Sequence, residues 1–159
     1  MRPDFLIGHS VGELACAYAD TCLTAEQTIR MAYARGKCIE DATLPLGAMA
    51  ICGLSWERAQ RTCPPTLSPS SHNGADCSTI SGPRDDLQHF VAQLNAQGIT
   101  AVEVDSTNIP LNSKCMSSLA PEMKRLLGTI IAKPGKRSSR WITTTQPTKH
   151  RWIGGTRDG

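Results

Sequence analysis

The sequence predicts an α/β protein: a strand, turn and helix core interrupted by a small inserted βαββαβ subdomain. Three observations predict it. "DFLIGHSVGELACAYAD", Asp4 to Asp20, passes from a short apolar run through a glycine-flanked serine into residues at helical spacing. Between Gly47 and Ser106 the pattern alternates as strand, helix, strand, strand, helix, strand. A hydrophobic content of 40% with 4% aromatics over 159 residues suits a soluble globular chain able to bury a core.

Each element has a local reason. Asp4-Phe5-Leu6-Ile7 reads as a buried strand, and Val11, Leu14, Ala15 and Tyr18 recur at helical spacing. Gly8-His9-Ser10-Val11-Gly12 is then the tight turn between them, a nucleophile elbow. Its geometry is expected to need glycine at both Gly8 and Gly12, to push the Ser10 hydroxyl outward, and to aim free helix N–H groups, starting with Val11, at an oxyanion. His9 is expected to point away from the hydroxyl as a packed turn residue. Thr24-Ala25-Glu26-Gln27 has capping-box spacing, so a helix is predicted over 25–41 with Ile29, Ala32, Tyr33, Gly36 and Ile39 as its stripe.

"GAMAICGL" is predicted as a strand, Ser55 as the cap of a short helix ended by Cys63-Pro64-Pro65, and "SPSSHNG" with "DCSTISGP" as a hairpin turning at Asn73-Gly74. Leu87, Phe90, Val91 and Leu94 mark a helix closed by Gly98, and "ITAVEVDS" alternates like a half-buried strand. This order makes residues 47–106 a ferredoxin-like insert. Residues 1–46 are the core with the elbow, 107–145 the return to that core, and 146–159 an unpatterned tail. In the return, a helix over 120–132 carries Met123, Leu126, Leu127, Ile130 and Ile131, and Arg140 to Thr143 forms a last strand.

Composition excludes several classes. No apolar run approaches the roughly 20 residues of a membrane span, and no secretory signal opens the chain, so a cytoplasmic location without membrane partners is expected. Seven cysteines without a C-x-x-C pair argue against a disulfide framework and against a zinc site. A net charge of +3 does not call for nucleic acid. From Lys133 to Arg151 there are six Lys or Arg and no acid, a bias that would attract an acidic carrier protein or coenzyme phosphates, or simply form a solvated basic face.

The motifs "GHSVGELACAYAD", "YARGKCIEDATLPLGAMA", "GLSWERAQRTCPP", "HNGADCSTISGP" and "KPGKRSSRW" run in order from about residue 5 to 145. Together they resemble the malonyl/acetyl-CoA acyltransferase family, specifically the acyltransferase domain of animal-type fatty acid synthases. The resemblance implies a partial α/β-hydrolase-like acyltransferase core with a ferredoxin-like insert. It also implies ping-pong transfer of an acyl group from coenzyme A, through a serine ester, to the phosphopantetheine thiol of an acyl carrier protein. The implied partners are that carrier domain and the other synthase domains, with no tightly bound cofactor and no metal.

By the same resemblance Ser10 is the nucleophile and Val11 an oxyanion donor; the second donor, a glutamine upstream of the elbow in the family, is not in this chain. Arg35 matches the arginine that pairs with a malonyl carboxylate, for which a planar guanidinium is suited. Ala34 stands where the family typically has Trp. His9, Met49, His72, Asn73 and Leu111 fall at substrate-binding positions.

The family's histidine base lies in "FHS", some ten residues before a helix containing "AP". Here Leu111-Asn112-Ser113 occupies that place, so the base is Asn112, and no histidine lies between His89 and His150. An asparagine amide cannot take the Ser10 proton. His72 is the one conceivable substitute, with a structural hydrogen-bonded histidine the blander reading; His89 lies on the polar side of its helix, and His150 is in the tail. Three functions therefore stand side by side: an acyltransferase, a serine esterase, and a catalytically impaired domain that only binds coenzyme A, a carrier or neighbouring domains. The few residues before Phe5 further suggest a truncated chain, poorly folded alone in its Ser10 half, with a stable insert.

Overall fold

A computed structural model describes residues 3–131, 133 and 135–145. His150, the tail and the last position of the 120–132 helix lie outside them. The chain forms two compact units, one of residues 1–38 and 122–159, the other of Ile39–Pro121.

In the first unit, strand β1 (Leu6–Gly8) leads into helix α1 (Gly12–Ala19), followed by α2 (Ala25–Glu40). The Thr24 hydroxyl accepts from the Gln27 N–H at 3.1 Å while the Gln27 side chain accepts from the Thr24 N–H at 2.9 Å, the reciprocal capping box that the spacing predicts. The apolar stripes differ in part from expectation, with Ile39 buried as predicted. Ile29 is 70% exposed and Tyr33 72%, whereas Ala34 and Cys38 are buried; on α1 the buried residues are Cys16 and Ala17, with Val11 and Tyr18 exposed. On α1 the buried side chains are small, and Cys16 Sγ lies 2.9 Å from where a Cβ on Gly8 would stand, so small residues there permit the close approach of helix and strand.

After a 3₁₀ turn over Lys114–Leu119 and helix α5 (Ala120–Ile130), the chain returns as a strand, Trp141–Thr143. This strand, β6, pairs with β1 in parallel, Leu6 opposite Trp141 and Gly8 opposite Thr143. The buried Asp20 carboxylate at the end of α1 fastens the return: it accepts the Ser138 N–H at 2.7 Å and hydroxyl at 2.5 Å, with Arg140 at 3.5 Å.

The second unit runs β2 (Gly47–Cys52), α3 (Trp56–Thr62), β3 (Ser68–Gly74), β4 (Cys77–Pro83), α4 (Arg84–Ala96) and β5 (Ala101–Val104). Its four strands form one antiparallel sheet in the order β3-β4-β2-β5. Strand alternation places Ala48, Ala50 and Cys52 on one face, where Ala59 of α3 and Leu87, Phe90 and Leu94 of α4 close a single core. Each buried side chain of Leu or Phe size contributes roughly 1.5–3 kcal/mol relative to exposure. Ser55 caps α3 by accepting the Arg58 N–H at 3.3 Å.

Three details correct the sequence reading. The hairpin turns at Ala75–Asp76, since Gly74 pairs with Cys77 and the Asn73 amide donates to Thr79 Oγ1 at 2.8 Å. The last strand of the sheet is shorter, 101–104 instead of 99–106. The unit also extends past the predicted 47–106: Pro110 is fully buried against Gly47, where a Cβ would lie 2.4 Å from its ring, and the Gly47 N–H donates to Asn108 O at 2.9 Å. Residues 107–121 thus pack with the sheet unit rather than with the returning core.

All seven cysteines are free. Burial raises the thiol pKa of Cys16 and Cys22 and pushes those of Cys52 and Cys63 up to about 11. No helix among the described residues is long and apolar enough to cross a membrane.

Candidate active site

Ser10 sits between β1 and α1 with φ of 53°, in the left-handed region that a non-glycine residue enters at a cost of order 1–3 kcal/mol. It is exposed, as are His9 and Val11. The turn closes through short bonds: Gly12 N–H to His9 O at 2.9 Å, Glu13 N–H to Ser10 O at 3.1 Å and Leu14 N–H to Val11 O at 3.0 Å. Among the described residues the Val11 N–H is left without a backbone acceptor, so the expected set of oxyanion donors reduces to this one.

The two flanking glycines are not equivalent. A Cβ on Gly8 would meet Gly12 O at 2.4 Å and Cys16 Sγ at 2.9 Å, so strand and helix approach too closely there for any side chain. A Cβ on Gly12 would meet nothing within 4 Å, which corrects the expectation that both positions need glycine.

Arg35, half-buried on α2, makes no ion pair or hydrogen bond with the described residues, leaving its guanidinium available to a carboxylate. Ser10, Val11, His9 and Arg35 belong to the first unit; Met49, His72, Asn73, Leu111 and Asn112 belong to the second. Met49 is half-buried on β2, opposite Ser81 and Val104. His72 stacks on Trp56 with ring centroids 5.7 Å apart, a packing role on the edge strand in place of the expected hydrogen-bonded one. Asn73 is tied to Thr79, and Leu111 is half-buried.

Asn112 is exposed and, like Ser10, left-handed, with φ of 58°. It lines a cleft of about 510 Å3 with Gln60, Cys63, Ser68, Ser113 and Lys114. The buried Ser113 hydroxyl has no hydrogen-bond partner among the described residues.

The sequence profile described as "Acyl transferase domain" matches residues 1–154. The chain belongs to this family.

The chain is similar to parts of several large synthases. A hybrid PKS-NRPS synthetase of a Fusarium species is 34% identical over 148 residues, 87% of this chain and 4% of that protein. Highly reducing polyketide synthase 19 of Pyricularia oryzae is 32% identical over 139 residues, covering 84% of this chain and 5% of the synthase. Among solved structures, the acyltransferase domain of the polyketide synthase PpsC of Mycobacterium tuberculosis superposes with a TM-score of 0.79 at 27% identity, over 91% of this chain and 43% of that one. That of phenolphthiocerol/phthiocerol synthase A from Mycobacterium bovis gives 0.80 at 23% identity, over 93% and 56%, a likeness of fold.

This acyltransferase chain thus spans a small part of each curated relative and roughly half of each solved domain. The relatives named are polyketide synthases, which supports the acyltransferase level of the expectation without singling out an animal fatty acid synthase.

Sequence reasoning missed two residues of this acyltransferase elbow. Glu13, within the quoted "GHSVGE", accepts from Trp141 Nε1 at 2.7 Å, Thr143 Oγ1 at 3.1 Å and the Thr144 N–H at 2.5 Å. Burial raises its pKa, but these donors, led by Thr144, outweigh it and hold the carboxyl below its ordinary value. Thr144 carried no local signal; its role comes from pairing across the fold.

Proposed function

We propose that this chain is the nucleophile-bearing part of a polyketide-synthase-like acyltransferase domain that loads malonyl or acetyl groups onto an acyl carrier protein. Ser10 Oγ attacks the thioester carbonyl of acyl-coenzyme A, the C–S bond breaks, and the coenzyme A thiol leaves with the serine proton. The phosphopantetheine thiol of the carrier then attacks the serine ester and takes the acyl group, returning the proton to Ser10. Val11 N–H stabilises the oxyanion, Arg35 receives the free carboxylate of a malonyl group, and the sheet unit serves as the family's ferredoxin-like insert. Coenzyme A thioesters are substrates and no resident cofactor is needed. A fatty acid synthase setting is the narrower alternative, resting on the motif resemblance.

The observation that carries this reading is the strained, exposed Ser10 followed by a Val11 N–H that has no backbone acceptor among the described residues. A second reading, a domain that binds thioesters or carrier protein with little turnover, is favoured by Asn112, which cannot serve as a base. General-base assistance is worth about 10²- to 10⁴-fold.

Intact-mass spectrometry after incubation with malonyl-CoA decides between them. Asn112→His is expected to form a malonyl adduct faster than the parent chain by about that factor. Ser10→Ala should form none, and Arg35→Ala should lose malonyl loading while retaining acetyl loading. An adduct that survives Ser10→Ala, or a folded Asn112→His variant that takes no acyl group, would overturn the acyltransferase reading.

A further inference from the structure

Ser10 occupies a backbone conformation that persists only when its surroundings impose it. A closed ring of hydrogen bonds surrounds the elbow. The Ser10 carbonyl accepts the Glu13 N–H at 3.1 Å. The Glu13 carboxylate accepts the Thr144 N–H at 2.5 Å and lies 3.0 Å from Thr144 Oγ1. Thr144 Oγ1 in turn donates to the Gly8 carbonyl at 2.8 Å, two residues before the nucleophile. Trp141 and Thr143 anchor the same carboxylate from β6, and Thr143 stands opposite Gly8 in the sheet register.

We propose that Glu13 and Thr144 are positioning residues for Ser10, the carboxylate holding Thr144 so that its hydroxyl pins Gly8 and fixes the elbow. This rests on the Ser10-ester reading above. Glu13 fixes the helix side of the turn and Thr144 the strand side. Both act through the backbone of the turn, and a nucleophile displaced by about 1 Å can react about 10²-fold more slowly.

Thr144 is exposed, so replacing it opens no cavity in a core. In the full chain carrying Asn112→His, malonyl-ester formation on Ser10 is measured against malonyl-CoA concentration for Thr144→Val, which keeps the shape and removes the donor, and Thr144→Ser, which keeps the hydroxyl. The expected result is a fall of about tenfold or more in the saturating rate for valine, with half-saturation unchanged, and recovery with serine. Loading by the valine variant at the parent rate overturns the proposal. So does a serine variant as slow as valine, because the hydroxyl would then not be the active element.

Amide exchange of Gly12 and Glu13, whose N–H groups close the turn, is followed on the same proteins. If the Asn112→His parent takes no malonyl group, the functional reading fails and exchange alone judges the brace. Exchange accelerated by valine and restored by serine upholds it, and unchanged exchange overturns it.

Discussion

At the scale of single residues, the elbow separates two glycines that look alike in the motif. Gly8→Ala forces a Cβ to within 2.4 Å of a backbone oxygen, and unfolding in urea should show the Ser10 unit destabilised by about 1–3 kcal/mol. Gly12→Ala meets open space in the first turn of α1 and should be neutral or stabilising by up to about 1 kcal/mol. The sequence made the serine, its glycines and Val11 legible because their spacing is local. Which glycine is sterically required depends on how strand and helix approach, which no local pattern encodes. Asn112 stands where the motif resemblance implies a base, and its left-handed backbone is one that asparagine and histidine both enter more readily than most residues, so Asn112→His should carry little conformational cost.

At the scale of elements, two carboxylates hold the returning chain segment to α1. Asp20 has its pKa lowered first by the Ser138 hydroxyl and then by the Ser138 N–H, and Glu13 is lowered by its donors against an opposing burial effect. Carboxylates with folded pKa values below their unfolded ones stabilise fully above the unfolded values, about 3.9 and 4.3. That stability is lost as pH falls through the folded values. Acid below roughly pH 4 should therefore loosen β6 first, seen as faster amide exchange at Leu6 and Ser138 after correction for the intrinsic rate, while Ile80 in the sheet core stays protected. Asp20→Asn should weaken this region at neutral pH and flatten the acid dependence. The capping box and the strand runs of the sheet unit were legible because their partners lie three or two residues apart, whereas the run expected as a buried strand leaves Phe5 and Ile7 exposed. The Asn73-Gly74 turn was misread because Asn73 is drawn into a cross-strand bond, and the helix stripes because Ala34 and Cys38 are small and weakly apolar in sequence. Glu13 and Thr144, 131 positions apart, could not be joined by any local rule.

At the scale of the whole molecule, the sheet unit carries a core of its own, so residues 39–121 expressed alone should unfold in one cooperative transition. The shorter piece 47–106 lacks Pro110 and the Asn108 carbonyl that receives Gly47, and it should be less stable by about 2 kcal/mol in denaturant titration. The order of elements was legible from alternating patterns, but the unit's edge was not, because a buried proline in a loop shows no periodicity. The distribution of thiols has a further consequence. A domain that receives activated thioesters is exposed to transthioesterification, in which its own cysteines capture the acyl group and strand it. Cys52 and Cys63, with pKa values of about 11, hold a thiolate fraction of only about 10⁻⁴ at pH 7, and burial shifts Cys16 and Cys22 in the same protective direction. Folding thereby suppresses four of the seven free cysteines as competing nucleophiles, which lowers the background against which a labelled acyl donor reports on the serine.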